Sequence, residues 1–348
     1  MTNEADRHAA RENSLTRVLA DVELAETAET IVAHQQPDGL ILWFDGGHAD
    51  TWNHTEAAMA LTVAGRRREA ERAYQWLADA QHADGWWHHY YRARGVEDAK
   101  IDTNCCAYVA TGVLHHWLVT GDRGFVEVMW PVVERAIEFV LGLQSANGTV
   151  VWARHSDGTP WSYALLTGSS STFHSLCSAL RLAEVVGDAR PAWELAAVRL
   201  REVIASRPDV FEPKHRWAMD WYYPVLSGAV TGDAARRMLA DRWDTFVMDG
   251  LGVRCVSDRP WVTAAETSEC VLALLNIGEE AAARELFDWI GHLRDVDGAY
   301  FTGIAYPEEV HFPAEEHTTY TGAAVILAAD ALDQRSPAAT LFTGGVQH

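Results

Sequence analysis

Four stretches of the chain repeat one local pattern, and this repetition limits the architectures that the sequence can adopt. The clearest copy, over residues 72–87, has an aromatic-aliphatic pair in a predicted helix, then Gln81, an Asp-Gly turn and an aromatic residue. The other copies contain Arg135 to Gly148; Val32, Gln36 and Asp38-Gly39; and Trp289-Ile290, Arg294, Asp297-Gly298 and Tyr300. Recurrence of one unit along a chain is typical of repeat architectures.

The repeated pattern has a direct structural interpretation. Asp-Gly or Asn-Gly supplies the positive φ that ends a helix. The Gln side-chain amide can bond the exposed backbone groups of the following turn. We therefore interpret the pattern as a structural staple rather than a catalytic motif.

Segments rich in small residues alternate with larger amphipathic segments. The small-residue segments open at Asn53-His54-Thr55-Glu56, Asp102-Thr103-Asn104, Ser170-Ser171-Thr172, near Ser227-Gly228, at Glu266-Thr267-Ser268-Glu269 and at Glu316-His317-Thr318-Thr319. The amphipathic segments span 25–36, 68–81, 125–144, 192–206, 234–246 and 281–293. Small-residue helices can approach closely and suit an inner ring, whereas amphipathic helices suit an outer ring.

This alternation predicts an all-α fold, an (α/α)6 toroid of six inner and six outer helices. The whole chain, 1–348, is expected to form one domain, with a loose N-terminal helix over 1–20 and a tail over 334–348. The connections from outer to inner helices are long: 37–52, 82–101, 145–169, 207–226, 247–265 and 295–316. Long loops in a compact domain are usually functional, so we expect them to form a funnel on one face.

Composition excludes several classes of partner. The formal net charge of −21 argues against nucleic acid or an anionic membrane. No run approaches the ~20 apolar residues of a membrane span, and the polar start at Met1 does not resemble a signal peptide, so we expect a cytoplasmic protein. The five cysteines form no CxxC pair, which predicts reduced thiols.

Carboxylates at the expected openings of inner helices are the candidate catalysts. Asp102 is the first candidate, because a helix N-terminus holds a carboxylate ionised, although a plain N-cap is an equal alternative. Asp220 is flanked by aromatic rings that would raise its pKa and make a general acid, with a surface turn before Pro224 as the alternative. Glu266 and Glu269 lie one helical turn apart, where two carboxyls push their titrations apart.

Other ionisable and aromatic residues are expected around the funnel. Asp45, Asp50, His54 and Glu56 approach from the first inner helix, and Glu315, Glu316, His317 and Tyr320 approach from the sixth; solvated rim charge is the alternative for each. The predicted substrate-binding residues are Trp43, Asp50, His54, Trp87, Arg154, Trp161, Trp221, Tyr222, Trp261, His317 and Tyr320. Loop cations such as Arg92 and Arg216 indicate either internal ion pairs or an anionic group on the substrate.

The pattern over Arg72–Trp87 resembles the QW motif of squalene and oxidosqualene cyclases. The alternating helices are similar to the wider toroid superfamily of terpenoid cyclases and protein prenyltransferases. The resemblance implies an isoprenoid-type substrate and acid–base chemistry. The DxDD acid motif of that family keeps only its final Asp, at Asp102, with Ile101 at the acid position. The zinc ligands of prenyltransferases have their nearest match in Ser268-Glu269-Cys270 with His317, where Ser replaces an Asp.

The leading hypothesis is an enzyme of this superfamily that acts on an isoprenoid-type or partly anionic small molecule, without metal or cofactor. One alternative is a carbohydrate-active enzyme, namely a glycoside hydrolase, sugar epimerase or polysaccharide lyase, because these share (α/α)6 barrels and because Trp suits sugar stacking. A second alternative is a non-catalytic binding toroid. The sequence leaves the oligomeric state open.

Overall fold

The helices of the chain form two concentric rings. The computed structural model describes residues 17–343. In chain order the helices are α1 (Asp21–Ala33), α2 (Thr51–Val63), α3 (Arg67–Ala80), α4 (Thr103–Ala107), α5 (Val109–Thr120), α6 (Arg123–Leu141), α7 (Leu166–Val186), α8 (Pro191–Ser206), α9 (Met219–Leu226), α10 (Gly232–Asp241), α11 (Trp243–Phe246), α12 (Ala264–Asn276), α13 (Glu280–Asp288) and α14 (Thr319–Asp333). Two 3₁₀ turns, Pro208–Val210 and Trp289–Leu293, follow α8 and α13.

The inner ring consists of α2, α4 with α5, α7, α9, α12 and α14, and each member contacts the next around the ring, with α14 closing onto α2. Its helices are buried on nearly all sides; residues 57–61 of α2, for example, are inaccessible to solvent. The outer helices are amphipathic, as in α3, where Ala70, Ala73, Tyr74 and Leu77 form the buried face. The predicted (α/α)6 toroid is confirmed.

The boundaries of the fourth inner helix differ from the prediction. The helix is α9, and Ser227 and Gly228, where it was expected to begin, end it instead. Trp221 and Tyr222 therefore lie in a helix and not in a loop, and the surface turn considered at Pro224 is wrong because Pro224 is buried inside α9.

The four staples each join one outer helix to the next. Gln81 Nε2 donates to Gly85 O (3.1 Å) and to Val132 O (2.9 Å) of α6, and Arg135 Nε donates to Gln81 Oε1. Gly85 has φ +94°, and a Cβ there would lie 2.1 Å from Arg135 O, so the turn packs directly on the next helix. Both the backbone conformation and the close approach require glycine.

The first and last copies of the staple differ from the sequence interpretation in detail. In the first copy, Gln35 rather than Gln36 bonds the turn, through Gly39 O and Glu69 O. In the last copy, Arg294 replaces Gln and pairs with Glu26 of α1 at 2.5 Å. This last staple joins the end of the outer ring to its beginning.

The long connections contain short antiparallel strands. They are β1 (Tyr90–Arg92), β2 (Gly95–Asp98), β3 (Ile101–Asp102), β4 (Ala153–Arg154), β5 (Val247–Met248), β6 (Gly252–Val253), β7 (Trp261–Thr263), β8 (Gly303–Ala305) and β9 (Val310–His311), paired as β1-β2, β3-β4, β5-β6 and β7-β8-β9. The β3-β4 pair places the start of α4 beside the third long connection. The strands thus fix the loops that surround the inner helices.

The segment after α14, expected to be a tail, packs against the toroid as far as the structure describes it. Leu341 and Phe342 are buried; the Leu341 carbonyl accepts from His174 Nε2 at 3.2 Å, and the Phe342 ring stacks on His174. The expected helix over 1–20 lies mostly outside the described residues. Between residues 17 and 343, no helix combines the length and the apolar character needed to cross a membrane.

Candidate active site

A cavity of about 690 Å³ opens at the N-terminal ends of the inner helices. The first four long connections contribute most of its wall; of the last two, only Ala265, at the start of α12, lines it among the described residues. The residues that line it are Trp43, Asp50, Trp52, Asn53, Glu56, His89, Tyr90, Asp102, Asn104, Cys105, Trp152, Tyr163, Leu165, Thr167, Gly168, Lys214, Trp217, Met219, Asp220, Ala265, Glu266, Glu269, Tyr320 and Ala324. The cavity therefore combines carboxyl groups with aromatic and aliphatic side chains.

All four predicted catalytic residues, Asp102, Asp220, Glu266 and Glu269, line this cavity. They come from three inner hairpins that only the closed ring brings together. In a ring of six, the helix that follows Asp102 lies opposite α12, which carries Glu266 and Glu269. Their position in one cavity is established; their catalytic role stays a prediction.

Asp50 is the N-cap of α2 and faces the cavity. Its Oδ1 accepts from Asn53 N at 2.9 Å, and its Oδ2 accepts from Trp43 Nε1 at 3.0 Å and from Asn53 Nδ2 at 2.8 Å. Burial nevertheless raises the pKa of Asp50 to about 6, because desolvation of the carboxylate outweighs these hydrogen bonds. A carboxyl with this pKa can donate or accept a proton near neutral pH.

Glu56 and Glu269 form the floor of the cavity, one from α2 and one from α12. Glu56 Oε1 accepts from Trp52 Nε1 (2.9 Å) and from the Tyr108 hydroxyl (3.0 Å), and Glu269 accepts from the Tyr222 hydroxyl. Burial raises the pKa of both carboxyls, and the negative charge of Glu56 raises the pKa of Glu269 further. The pair therefore tends to retain a proton where an isolated carboxyl would be ionised.

Asp102 is both an N-cap and a cavity residue. Its Oδ1 accepts from Asn104 N (3.0 Å) and Cys105 N (3.2 Å) at the start of α4. The cap interpretation is thus correct in geometry, and the same side chain lines the cavity. Capping uses one oxygen, so the second oxygen remains for a ligand.

Asp220 and Glu266 occupy the other side of the cavity. Asp220 Oδ1 accepts from the Thr167 hydroxyl at 2.6 Å, and burial raises the pKa of Asp220, as expected for a residue among aromatic rings. Glu266 accepts from the Thr263 hydroxyl. The ring centroid of Tyr320 lies 5.0 Å from that of Trp43, which bonds Asp50, and burial and the negative charge of Glu266 raise the pKa of Tyr320.

Most of the chain is similar in sequence to a known protein. One relative, "MMP endo-(1,4)-3-O-methyl-alpha-D-mannosidase" from Mycolicibacterium hassiacum, is 51% identical over 327 residues, which cover 94% of this chain and 90% of the relative. The chain belongs to this mannosidase family. A comparison with protein-family models gives no match.

More distant matches include a second sequence relative and solved structures with the fold of this chain. An "uncharacterized glycosyl hydrolase" from Methanocaldococcus jannaschii is 30% identical over 84 residues, 24% of this chain and 14% of that protein. A crystal structure of D-mannose isomerase has a TM-score of 0.69 at 12% identity, covering 88% of this chain and 95% of that one. A wild-type glycosidase has a TM-score of 0.69 at 14% identity, covering 91% and 98%.

The mannosidase family corrects the leading functional hypothesis. The resemblance to terpenoid cyclases and protein prenyltransferases is wrong, and so are the isoprenoid-type substrate and the QW motif as a family signature. The staple residues do join neighbouring outer helices. This feature serves the packing of a double ring of helices and does not indicate which reaction an enzyme catalyses. The 51% identity to a mannosidase supports the carbohydrate-active alternative instead, and the chain is an enzyme.

The predicted substrate-binding residues divide into two groups. Trp43, Asp50 and Tyr320 line the cavity. The remaining eight do not line it: His54, Trp87, Arg154, Trp161, Trp221, Tyr222, Trp261 and His317.

Each of these eight side chains is engaged elsewhere. Trp87 Nε1 donates to Leu77 O and Trp221 Nε1 donates to Met238 O, so both indoles face outer helices. His54 bonds Ile41 N and Ala73 O with its two ring nitrogens.

Tyr222 lies behind Glu269, and Trp261 Nε1 donates to Phe312 O. Arg154 lies over the rings of Trp86 and Phe139, and His317 lies beside Asp295 at 3.1 Å. Trp161 stacks on His155 and supports the cavity residues Trp152 and Tyr163 from behind, with ring centroids 4.5 and 5.6 Å away.

Sequence reasoning missed much of the aromatic wall. Tyr90, Trp152, Tyr163 and Trp217 line the cavity although they were not selected as binding residues. Their available signal was their place on the long connections, which they share with Trp87 and Trp161. Side-chain direction, which the sequence does not contain, separates the two sets.

The loop cations favour internal pairing over recognition of an anion. Arg92 pairs with Glu97 and Arg216 with Asp258. Lys214 is the one Lys or Arg that lines the cavity within the described residues. An anionic group on the substrate is therefore not a requirement of this site.

Two further expectations concern cysteines and metals. The five cysteines are free and buried, as predicted. Cys270 and His317, considered as zinc ligands, belong to no group of three potential ligands among residues 17–343; the group that does occur is His89, Asp102 and Cys105. Catalysis without a metal stays a prediction.

Proposed function

We propose that this chain is an endo-acting glycoside hydrolase that cleaves α-(1,4) bonds between 3-O-methyl-mannose units. The observation that carries the proposal is the cavity at the N-terminal ends of the inner helices, in which buried carboxyls face an aromatic wall. The 51% identity to the M. hassiacum mannosidase supports the substrate class. The fold neighbours that are isomerases or epimerases support only the architecture, since their identity to this chain is about 12%.

Hydrolysis of a glycosidic bond requires one carboxyl that protonates the leaving oxygen and a second carboxylate that activates water or attacks the sugar. We assign Asp50 as the acid because its pKa of about 6 leaves it partly protonated near neutral pH. Trp43 and Asn53 hold its orientation through three hydrogen bonds.

Glu266 is the proposed second carboxylate. It lies on α12, separated from α2 in the inner ring by α14 alone, and its neighbour Tyr320 reaches the Trp43–Asp50 pair. Asp102 and Asp220 remain proposed site residues that hold sugar hydroxyls from two further sides. Glu269, with Glu56, closes the floor and keeps a proton there.

The aliphatic part of the wall suits a methylated sugar. Leu165, Met219, Ala265 and Ala324 line the cavity beside the rings. Burial of one methyl-sized group contributes roughly 0.8 kcal/mol, which corresponds to about a fourfold gain in affinity. Because each sugar carries one O-methyl group, several occupied subsites multiply this preference.

The test is an assay of the purified full chain on methylated and unmethylated α-(1,4)-mannooligosaccharides of matched length. We expect cleavage within the chain, seen as internal fragments by mass spectrometry, and a several-fold larger kcat/KM for the methylated series. Glu266→Gln should lower kcat by about two or more orders of magnitude with the fold retained. Exclusive release of terminal units, or no turnover of either series, would contradict the proposal.

A matched control separates loss of chemistry from loss of fold. Glu279 is an exposed loop residue, and Glu279→Gln removes only its surface ion pair with Arg236. We expect this variant to keep wild-type turnover and melting temperature, because exposed pairs contribute little.

A further inference from the structure

His89, Asp102 and Cys105 form a compact group on one wall of the cavity. One nitrogen of His89, one oxygen of Asp102 and the Cys105 sulfur all lie within 4.8 Å of one another. All three residues line the cavity, so the group has an open side. Nothing in the proposed hydrolysis uses the imidazole or the thiol.

The local backbone holds this group together. Asp102 ends β3 and caps α4, whose first turn contains Cys105. The His89 amide donates to the Lys100 carbonyl at 2.6 Å, which ties the segment before β1 to the residues just before Asp102. The three side chains therefore come from two segments fixed by backbone hydrogen bonds rather than from mobile loops.

One nitrogen of the group and one oxygen of the adjacent Asn104 lack hydrogen-bond partners. His89 Nδ1 is buried and makes no hydrogen bond, and Asn104 Oδ1, from a residue only 3% exposed that also lines the cavity, is likewise unsatisfied. Asp102 uses Oδ1 for its cap, which leaves Oδ2. Buried polar atoms without partners are costly, so a bound species that satisfies them is favoured.

We infer that His89, Asp102 and Cys105 bind one thiophilic divalent cation, of which Zn²⁺ is the best match. Imidazole, thiolate and carboxylate are ordinary zinc ligands, and three protein ligands with an open fourth position form a common zinc geometry. Zinc bonds of about 2.0–2.3 Å place tetrahedral ligand atoms roughly 3.5 Å apart. The present atoms lie within 4.8 Å of one another, so side-chain rotations must bring them closer for all three to bind.

Binding replaces the proton on Cys105. The Sγ–H bond breaks, the proton passes to solvent, and the thiolate bonds the cation; His89 binds as the neutral imidazole. The bound ion occupies space that a sugar would need, so it acts as an inhibitor and not as a cofactor. Zinc binding does not depend on the proposed glycosidase activity, and the two can fail separately.

The experiment titrates untagged full chain with Zn²⁺ and follows binding by calorimetry, with Co²⁺ as a spectroscopic probe. We expect saturation at one equivalent and a near-ultraviolet thiolate–cobalt band. Cys105→Ser and His89→Gln should each weaken zinc binding at least tenfold, and Cys105→Ser should remove the cobalt band. Cys177→Ser, which changes a buried thiol away from the cavity, is the matched control and should bind as wild type.

Thermal melting checks the fold of each variant. If His89→Gln is unstable, Cys105→Ser, which hardly changes the side-chain volume, tests zinc binding alone. The proposal would be overturned if Cys105→Ser bound zinc as tightly as the wild type. It would also be overturned if the wild-type chain did not bind one equivalent of zinc at micromolar concentration. Where turnover is measurable, Zn²⁺ should raise KM for the oligosaccharide and leave kcat unchanged.

Discussion

The indole N–H of Trp43 donates to Oδ2 of Asp50 over 3.0 Å, on the face of the Asp50 carboxyl that lines the cavity. This bond stabilises the ionised carboxylate and so lowers the pKa of Asp50, while burial raises it to about 6. The pKa of the proposed acid is therefore set by two opposing effects that can be changed one at a time.

Trp43→Phe should shift the pH dependence of the enzyme. The variant keeps an aromatic ring but loses the N–H donor, so the pKa of Asp50 should rise further above its ordinary value. An acid must be protonated to act, and the alkaline limb of kcat/KM, expected near pH 6, should move to higher pH. A pH–rate profile of both proteins on one oligosaccharide measures this shift. An unchanged or lower midpoint would argue against Asp50 as the acid.

Asp50→Asn provides the direct test of the same residue. Asn cannot donate the catalytic proton, and its single oxygen replaces only one of the two oxygens that accept from Asn53 N and from Trp43 Nε1. We expect kcat to fall by about two orders of magnitude or more. The melting temperature should fall modestly, because at least one of these donors loses its partner. Turnover near the wild-type rate would assign the acid to another carboxyl, with Asp220 and Glu269 as the next candidates.

Glu56 should make stability depend on pH. Its pKa is raised from 4.5 to about 7, so the folded chain binds more protons than the unfolded chain between these values. Stability contributed by Glu56 is therefore largest below about pH 4.5 and declines as pH rises toward 7. Glu56→Gln, a neutral residue that can still accept from Trp52 and Tyr108, should flatten this dependence. Urea unfolding at several pH values measures it.

The control for this experiment is Glu127→Gln, which removes an exposed carboxyl paired with Arg123 and should leave the pH dependence unchanged. The contribution of Glu56 is on the order of a few kcal/mol, since one pKa unit corresponds to about 1.4 kcal/mol. If the free energy of unfolding of Glu56→Gln depended on pH as steeply as that of the wild type, the proton retained by this pair would belong to Glu269.

The sequence predicts the double ring because small-residue and amphipathic helices leave different patterns. The fourth inner helix, Met219–Leu226, was not predicted in this way. It is short, its side chains are large, and it contains Pro224, features that are typical of a loop. Asp102, Glu266 and Glu269 were predictable for a related reason: they lie at the start of inner helices, whose N-termini meet at one place. Asp220 was predicted instead from the aromatic residues that follow it.

The direction of aromatic side chains could not be predicted in the same way. Trp52 and Trp87 both follow polar turns, yet Trp52 faces the cavity and Trp87 bonds Leu77 O in the core. Which side of the backbone a ring occupies depends on contacts with other hairpins. The family assignment failed for a different reason: the staple reflects the mechanics of helix rings, and unrelated enzymes can share such mechanics.

Gln81→Ala should test the staple as a structural clamp. The substitution removes hydrogen bonds from Nε2 to Gly85 O and Val132 O and the acceptor for Arg135, so α3 loses its polar link to α6. We expect a loss of about 1–3 kcal/mol in the free energy of unfolding, because the two backbone carbonyls are left without this partner. Turnover at 25 °C should be retained, since Gln81 does not line the cavity.

Gln75→Ala is the matched control for the clamp. Gln75 lies on the same helix and bonds only Asp79 within it, on an exposed surface. Its replacement should change the free energy of unfolding by no more than about 0.5 kcal/mol, the range of ordinary surface substitutions. Chemical denaturation of the two variants side by side gives the comparison. Equal stability of Gln81→Ala and Gln75→Ala would show that apolar packing alone holds the outer ring, and that the repeated Gln is dispensable for the fold.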